Sequence, residues 1–255
     1  MKMLASDLDM TLLFRDERGE IYIKEEDKNA IELFQKKGNL FGVSTGRGIY
    51  TASGDVIDNI KADFYIVNSG ACIYDKELNI ISENILPREL IIELYSDLTR
   101  KDDIIIYCKR HTYALKPTDR DARRKIIVDT IDEADDEMYS LSLKLTDVKG
   151  AMEEAERLKF LWGNYFNIFQ NQQYVDICQK GCSKGEAVLK AGKYLGVREQ
   201  DIAVIGDSYN DISMFEAVKD SFTFESSDKD VKKKALHIVN SLAECIKNIT
   251  ERATD

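Results

Sequence analysis

Asp7 and Asp9 stand two residues apart in Asp7-Leu8-Asp9-Met10-Thr11, directly after a short apolar run. A third carboxylate, Asp207, opens Gly206-Asp207-Ser208-Tyr209-Asn210-Asp211, directly after Ile202-Ala203-Val204-Ile205. Between them lie Ser44-Thr45-Gly46-Arg47, again at the end of an apolar run, and Lys184, flanked by Ser183 and Gly185. Separated carboxylates, one hydroxyl and one lysine are the parts that hold Mg²⁺ and a phosphate while a carboxylate attacks phosphorus.

On an extended chain Asp7 and Asp9 project to the same side. Carboxylates this close push one pKa up, and a divalent cation offsets that by holding Asp7 as an anion. Asp7 and Asp207 are expected to ligate the metal with the Asp9 backbone carbonyl, which leaves the Asp9 side chain free to carry a proton. Asp7 is then the nucleophile that forms an aspartyl-phosphate, and Asp9 the general acid and base. Thr45, with Gly46 beside it, is expected to bind a phosphoryl oxygen. Lys184 brings positive charge at a helix N-terminus. Each feature alone has an ordinary reading as a solvated acidic pair, a turn, a surface lysine or a helix cap. Their order, each after an apolar run or at a helix start, favours the chemical reading.

These residues need a scaffold that gathers them. Residues 2–6, 39–44, 64–67 and 202–205 read as buried strands, and 26–37 and 48–60 as helices between them. Alternating strands and helices predict an α/β fold, a three-layer Rossmann-like parallel sheet, with ligands at the carboxyl ends of the strands. The middle of the chain reads differently. Strands near 103–108, 112–115, 138–145, 165–169 and 173–177 mix with helices near 87–99, 118–131 and 149–161, an α+β pattern. Tyr139, Leu141, Leu143 and Leu145 alternate, which predicts a sheet covered on one face. Ser183 and Glu186 form a capping-box pattern that places Lys184 in the first turn of a helix. The expected organisation is a core from residues 1–83 and 183–255, with a cap inserted at 84–182.

The chain has 255 residues, 44% of them hydrophobic, enough for a packed core. Its formal net charge of −10 argues against nucleic acid and anionic membranes as partners. It also means that a phosphate site needs local cations. Asp7 comes too early for a signal peptide to precede it, and no apolar stretch nears the length of a membrane span, so a cytoplasmic protein is expected. The five cysteines (72, 108, 178, 182 and 245) are scattered and read as reduced thiols. His111 and His237 are the only histidines and have no partner in sequence, which argues against histidine catalysis.

At these residues the chain resembles the haloacid-dehalogenase-like superfamily of phosphatases. Asp7, Asp9 and Thr11 match its Asp-x-Asp-x-Thr motif, Thr45 its threonine motif, Lys184 its lysine motif, and Asp207 with Asp211 its acidic motif. Asn68-Ser69-Gly70-Ala71 and the stretch from Asp176 to Gly185 resemble signatures of the Cof-type subgroup, whose cap lies between the second and third motifs. The resemblance implies a three-layer core with an α/β cap, Mg²⁺ dependence and hydrolysis of small phosphomonoesters such as sugar phosphates or phosphorylated cofactors. By the same analogy Asn210 arranges the phosphate or Lys184, Asp211 supports the metal through water, and Arg47 approaches the substrate. Met10 replaces a glycine often found there, a swap expected to be tolerable if the backbone angle is ordinary. Residues 222–227 lack the loop sequence common in relatives. Arg110, His111, Tyr113 and the basic run Arg120 to Lys125 are candidate cap specificity groups. Two alternatives stand beside the phosphatase: a sugar phosphomutase with the same nucleophile, and a non-catalytic binder of a phosphometabolite. Neither the substrate nor the oligomeric state is legible in the sequence.

Overall fold

The computed structural model of the chain describes residues 1–50, 52, 60–115 and 125–252. Two sheets organise it. The larger takes β1 (Met3–Ser6), β4 (Leu40–Ser44), β5 (Phe64–Val67), β6 (Cys72–Asp75), β7 (Ile80–Glu83), β14 (Ile202–Ile205), β15 (Asp220–Phe224) and β16 (His237–Val239). Its order is β16-β15-β14-β1-β4-β5-β6-β7, parallel from β16 to β5, with β6 and β7 antiparallel at one edge. A two-stranded flap, β2 (Phe14–Arg15) with β3 (Ile21–Tyr22), follows β1. The Asp16 carboxylate accepts the N–H groups of Arg18 and Glu20 and ties the flap's turn. The sequence pattern gave no separate sign of this flap, because two-residue strands are too short to show alternation.

Side-chain alternation builds the three layers. Met3 and Ala5 of β1, Phe64 and Ile66 of β5, and Ile202 and Val204 of β14 bury one face. They pack against Ala187, Val188 and Ala191 of one helix and Met214 and Phe215 of another. Leu4, Tyr65, Val67, Ala203 and Ile205 bury the opposite face, against Ile31 and Phe34 of α1 (Glu25–Lys36) and Leu242, Ile246 and Ile249 of the C-terminal helix Leu242–Glu251. Continuous apolar strands are what a parallel sheet covered on both faces requires.

The second sheet has order β10-β9-β8-β11-β13-β12, from β8 (Ile104–Cys108), β9 (Thr112–Leu115), β10 (Ile126–Val128), β11 (Met138–Lys144), β12 (Phe166–Asn171) and β13 (Tyr174–Gln179). Ile104, Ile106, Leu141, Leu143, Val175 and Ile177 turn one face toward α2 (Arg88–Asp97) and α3 (Val148–Trp162). The other face carries Tyr107, Ser142, Tyr174 and Asp176. A bulge between Met138 and Ser140 lets Tyr139 turn instead to the core, where its hydroxyl donates to Glu83 Oε2 at 2.5 Å. The helix expected near 118–131 falls partly outside the described residues. Its described end is corrected: Ile126–Val128 is a strand pairing with β9, followed by a short 3₁₀ turn at Ile131–Glu133. Two isoleucines and a valine suit an edge strand better than a helix. The helix expected at 48–60 begins at Ile49, and most of the rest lies outside the described residues.

All five cysteines are buried and unbonded. Among the described residues no helix is long and apolar enough to cross a membrane.

The helix that starts at Lys184, α4 (Lys184–Tyr194), meets α5 (Ile212–Ala217) closely at Gly185. A Cβ there would stand 2.0 Å from the Ser213 carbonyl oxygen and 2.8 Å from the Ala217 Cβ. Gly185→Ala is therefore expected to destabilise the protein by about 1–3 kcal/mol in urea unfolding. A midpoint equal to wild type would mean that these helices do not need to touch.

Candidate active site

Register brings the functional residues to one edge. Ser6 pairs with Ile205 of β14 and with Val43 of β4, so Asp7, Gly206 and Ser44 leave the sheet side by side. Asp7 N–H continues the ladder to the Ile205 carbonyl at 2.8 Å, and Thr45 N–H reaches the Ile66 carbonyl at 2.9 Å. Residues 196 or more positions apart in sequence thereby meet, Thr11 Oγ1 donating to Asp207 Oδ1 at 3.0 Å.

Lys184 occupies the centre. Ser183 caps its helix by accepting the Glu186 N–H at 3.1 Å, which sets where the lysine begins. The buried ammonium donates to Asp7 Oδ1 at 2.5 Å and Asp211 Oδ1 at 2.7 Å. Asp211 is fully buried, and its second oxygen accepts the N–H groups of Asp207 at 3.0 Å and Ser208 at 3.1 Å. It therefore holds both the acidic loop and the lysine. Gly206 makes this possible, since a Cβ there would fall 2.4 Å from Asp211 Cγ.

Arg47 grips the exposed Asp9 carboxylate with its fork: Nε meets Oδ2 at 2.8 Å and Nη2 meets Oδ1. Thr45 is buried, and its Oγ1 accepts the Arg47 N–H at 3.1 Å. Asn210 accepts the Ser208 hydroxyl at 2.7 Å. Met10 departs from expectation. Its φ is 61°, a left-handed angle, because the chain reverses at once after β1 and Met10 N–H bonds to the Leu13 carbonyl. A residue with a Cβ pays about 1–2 kcal/mol for that angle, which explains glycine as the easier choice.

Asp7, Asp9, Thr45, Arg47, Asp207 and Asn210 line one cleft of about 230 Å³. Tyr107, Ser142, Asn171, Gln172, Tyr174 and Asp176 of the second sheet line its other side. The cap residues singled out from sequence are elsewhere. Arg110 bonds Asp136 and the Asp135 carbonyl, His111 lies beside Asp136 and the Tyr113 ring, and Tyr113 is buried in the cap core. Arg110 and His111 belong to the β8–β9 turn and its ion pairs, and Tyr113 to β9, rather than to the cleft. Lys125 is also absent from the lining, and Arg120 to Arg124 lie outside the described residues. The polar cap face was readable in principle: if Leu141 and Leu143 point to the helices, Ser142 points the other way.

The family model for haloacid dehalogenase-like hydrolases matches residues 4–245. The chain belongs to that family. It is a haloacid dehalogenase-like phosphatase of the Cof type. It is 26% identical over 261 residues to an uncharacterized protein of Mycoplasma capricolum, covering 95% of this chain and 98% of that one. It is 25% identical over 280 residues to the 5-amino-6-(5-phospho-D-ribitylamino)uracil phosphatase YwtE of Bacillus subtilis, covering 94% and 93%. Among solved structures, a haloacid dehalogenase-like hydrolase from B. subtilis shares its fold with TM-score 0.83 at 19% identity, covering 98% of this chain and 99% of that one. A subclass IIB sugar phosphatase does so with TM-score 0.83 at 19% identity, over 100% of both chains.

The donor set of this haloacid dehalogenase-like phosphatase suits a divalent cation. Asp7, Asp207 and Asp211 bring carboxylate oxygens within 4.8 Å of one another. Three carboxylates against the one ammonium of Lys184 leave two uncompensated negative charges in a largely buried place. Hard oxygen ligands are what Mg²⁺ takes. Without a cation the strain shows in the acids. Burial, then the Asp211 charge, pushes the Asp7 carboxyl well above its usual range, against the pull of Lys184. Burial and Asp211 likewise push Asp207 up to about 6. Burial would lower the Lys184 ammonium, but Asp211 and Asp7 outweigh it and hold it above the ordinary lysine value.

Raised folded-state pKa values mean that the metal-free folded protein binds more protons than the unfolded chain. That stability is fully present below the ordinary aspartate value of 3.8 and is lost as pH rises through about 6. Carboxyls held below their usual range, such as Asp136 and Glu154, act with the opposite sign, so the check is a difference: from pH 4 to pH 7 the metal-free protein is expected to lose more melting temperature, or gain less, than Asp207→Asn. Added Mg²⁺ should raise the midpoint more at pH 7 than at pH 5. Scanning calorimetry with and without chelator checks this, and a Mg²⁺ response indifferent to pH would contradict it.

Proposed function

We propose that this phosphatase hydrolyses small phosphomonoesters, sugar phosphates or phosphorylated cofactors, with Mg²⁺ and through an aspartyl-phosphate on Asp7. One observation carries the reading: Asp7 is buried beside Lys184 in a cleft that also presents Asp9, Thr45 and Asp207. The named substrates of relatives, a phosphorylated ribitylaminouracil and sugar phosphates, are of the same chemical class.

Asp7, Asp207 and the Asp9 carbonyl would hold the cation, with Asp211 supporting it from behind. When bound, the cation supplies charge that keeps Asp7 ionised and neutralises phosphoryl oxygens. The Asp7 carboxylate attacks phosphorus, and the ester P–O bond breaks. Asp9 gives its proton to the departing oxygen, then takes one from the water that attacks the acyl-phosphate. Free phosphate leaves and the Asp7 carboxylate is restored. Lys184 holds Asp7 in place and faces the phosphoryl charge. Thr45 and Gly46 receive a phosphoryl oxygen, with Asn210 across the cleft. Arg47 orients Asp9 and borders the substrate.

The leaving group sits against the cap. Tyr107, Ser142, Tyr174 and Asp176 offer hydroxyl, carboxylate and aromatic surface there, partners suited to hydroxyl-bearing metabolites.

A panel of phosphorylated metabolites is expected to yield at least one with Mg²⁺-dependent phosphate release. EDTA should stop that release and Mg²⁺ restore it. Asp7→Asn should lower turnover by more than ~10³-fold, since an amide is a poor nucleophile and ligand. No release from any substrate, or near-normal turnover by Asp7→Asn, would reject the proposal. An isomeric sugar phosphate in place of free phosphate would identify a mutase.

A further inference from the structure

Strand β5 ends in three successive residues with left-handed backbone: Asn68 (φ 53°), Ser69 (φ 57°) and Gly70 (φ 95°). Asn68 and Ser69 are only 2% and 5% exposed. Each non-glycine residue so held costs on the order of 1–2 kcal/mol, and such strain persists only where surrounding contacts over-determine it. A hairpin from β5 into antiparallel β6 uses positive φ at a turn position or two. It does not require that the turn be buried, nor that its N–H groups be spent on another loop.

Here they are. Asn68 N–H donates to the Arg47 carbonyl at 2.9 Å, and Ser69 N–H to the Thr45 carbonyl at 3.1 Å. The turn therefore holds both ends of the Thr45-Gly46-Arg47 segment. On its other side Gly70 lies against the start of α4. A Cβ at Gly70 would stand 2.2 Å from the Ser183 carbonyl oxygen and 3.0 Å from the Lys184 nitrogen. That carbonyl already accepts the Ala187 N–H at 3.0 Å, the first bond of the helix, so it cannot move without moving the helix start. One turn thus touches the two arms that carry Thr45 and Lys184.

We propose that the Asn68-Ser69-Gly70 turn is a positioning element that sets the spacing between Thr45 and Lys184, so that both reach one phosphoryl group. The inference rests on the phosphoryl-binding reading of the cleft. It acts through backbone geometry: the residues need left-handed angles at 68 and 69 and the missing side chain at 70. None of the three carries the metal carboxylates, so anion binding and cation binding are expected to separate.

The test uses Gly70→Ala, Ser69→Val, Asn68→Ala and Ser69→Gly in the full chain. Circular dichroism at low temperature establishes the folded state. Inorganic phosphate is titrated as a competitive inhibitor, Mn²⁺ binding is followed by electron paramagnetic resonance, and kcat and KM are read on one substrate from the panel. Gly70→Ala and Ser69→Val are expected to weaken phosphate inhibition about tenfold or more and to lower kcat, as loss of a phosphoryl contact would. Mn²⁺ affinity should stay within about threefold, a difference of less than 1 kcal/mol. Asn68→Ala, which exchanges a side chain that tolerates the left-handed angle for one that does not, should shift phosphate inhibition the same way by about threefold. Ser69→Gly keeps the angle and the N–H donor and should retain the wild-type phosphate constant. Folded Gly70→Ala and Asn68→Ala proteins with wild-type phosphate inhibition would overturn the proposal. So would phosphate and Mn²⁺ affinities that fall together. A wild-type protein that binds no phosphate would end both this inference and the reading beneath it, which separates that failure from the first two.

Discussion

A lysine ammonium enclosed between two carboxylates is the constraint around which the core is arranged. Lys184 meets Asp7 and Asp211 at hydrogen-bond distance with almost no water access. Removing one partner of such a buried set leaves an uncompensated charge, at a cost of about 3–5 kcal/mol. The surrounding sequence serves that geometry. Gly185 lets α4 approach α5, Gly206 lets the acidic loop close on Asp211, and Gly70 gives room to the helix start. The arrangement still lacks positive charge, because three acids face one ammonium. That deficit connects the packing of the core to the chemistry of the cleft. A site with such a deficit is one whose charge suits a divalent cation.

Core and cap divide the work by the same alternation of side chains. In the large sheet both faces are covered, and the core residues that line the cleft stand where strands end. In the cap sheet one face is packed under α2 and α3, so the opposite face is free to be polar and to look into the cleft. Ser142 and Asp176 are directly paired across β11 and β13, both on that face. The candidate catalytic residues therefore sit on strand ends of the core, and the polar surface across the cleft from them sits on a separate sheet.

Backbone strain gathers at the cleft. Met10 and Gln172 line it with φ of 61° and 50°, Asn68 and Ser69 take similar angles where they bond the Thr45–Arg47 segment, and Leu78 and Asp103 take them away from the cleft. Sparsely populated angles persist where function or neighbouring contacts require a particular path of the chain. At Met10 the requirement is a reversal that leaves Asp7 and Asp9 both facing the cleft. At residues 68–70 it is the junction between the Thr45–Arg47 segment and the start of α4.

The four motifs, their order and the strands that precede them were legible in the sequence, because buried parallel strands read as short apolar runs and reactive residues follow them directly. The capping pattern at Ser183 and Glu186 placed Lys184 at a helix start for an equally local reason, a side chain meeting a backbone N–H three residues on. Other features depended on contacts between distant segments. Local pattern did not reveal that Arg47 would grip Asp9, that Asp211 would serve Lys184 and the loop at once, or that Met10 would turn left-handed. Nor did it separate the cap's ion-paired turn at Arg110 and His111 from the face carrying Tyr107, Ser142, Tyr174 and Asp176. Charge and polarity are readable residue by residue. Which polar residues converge is set by strand register and sheet packing, and these exist only once the chain has folded.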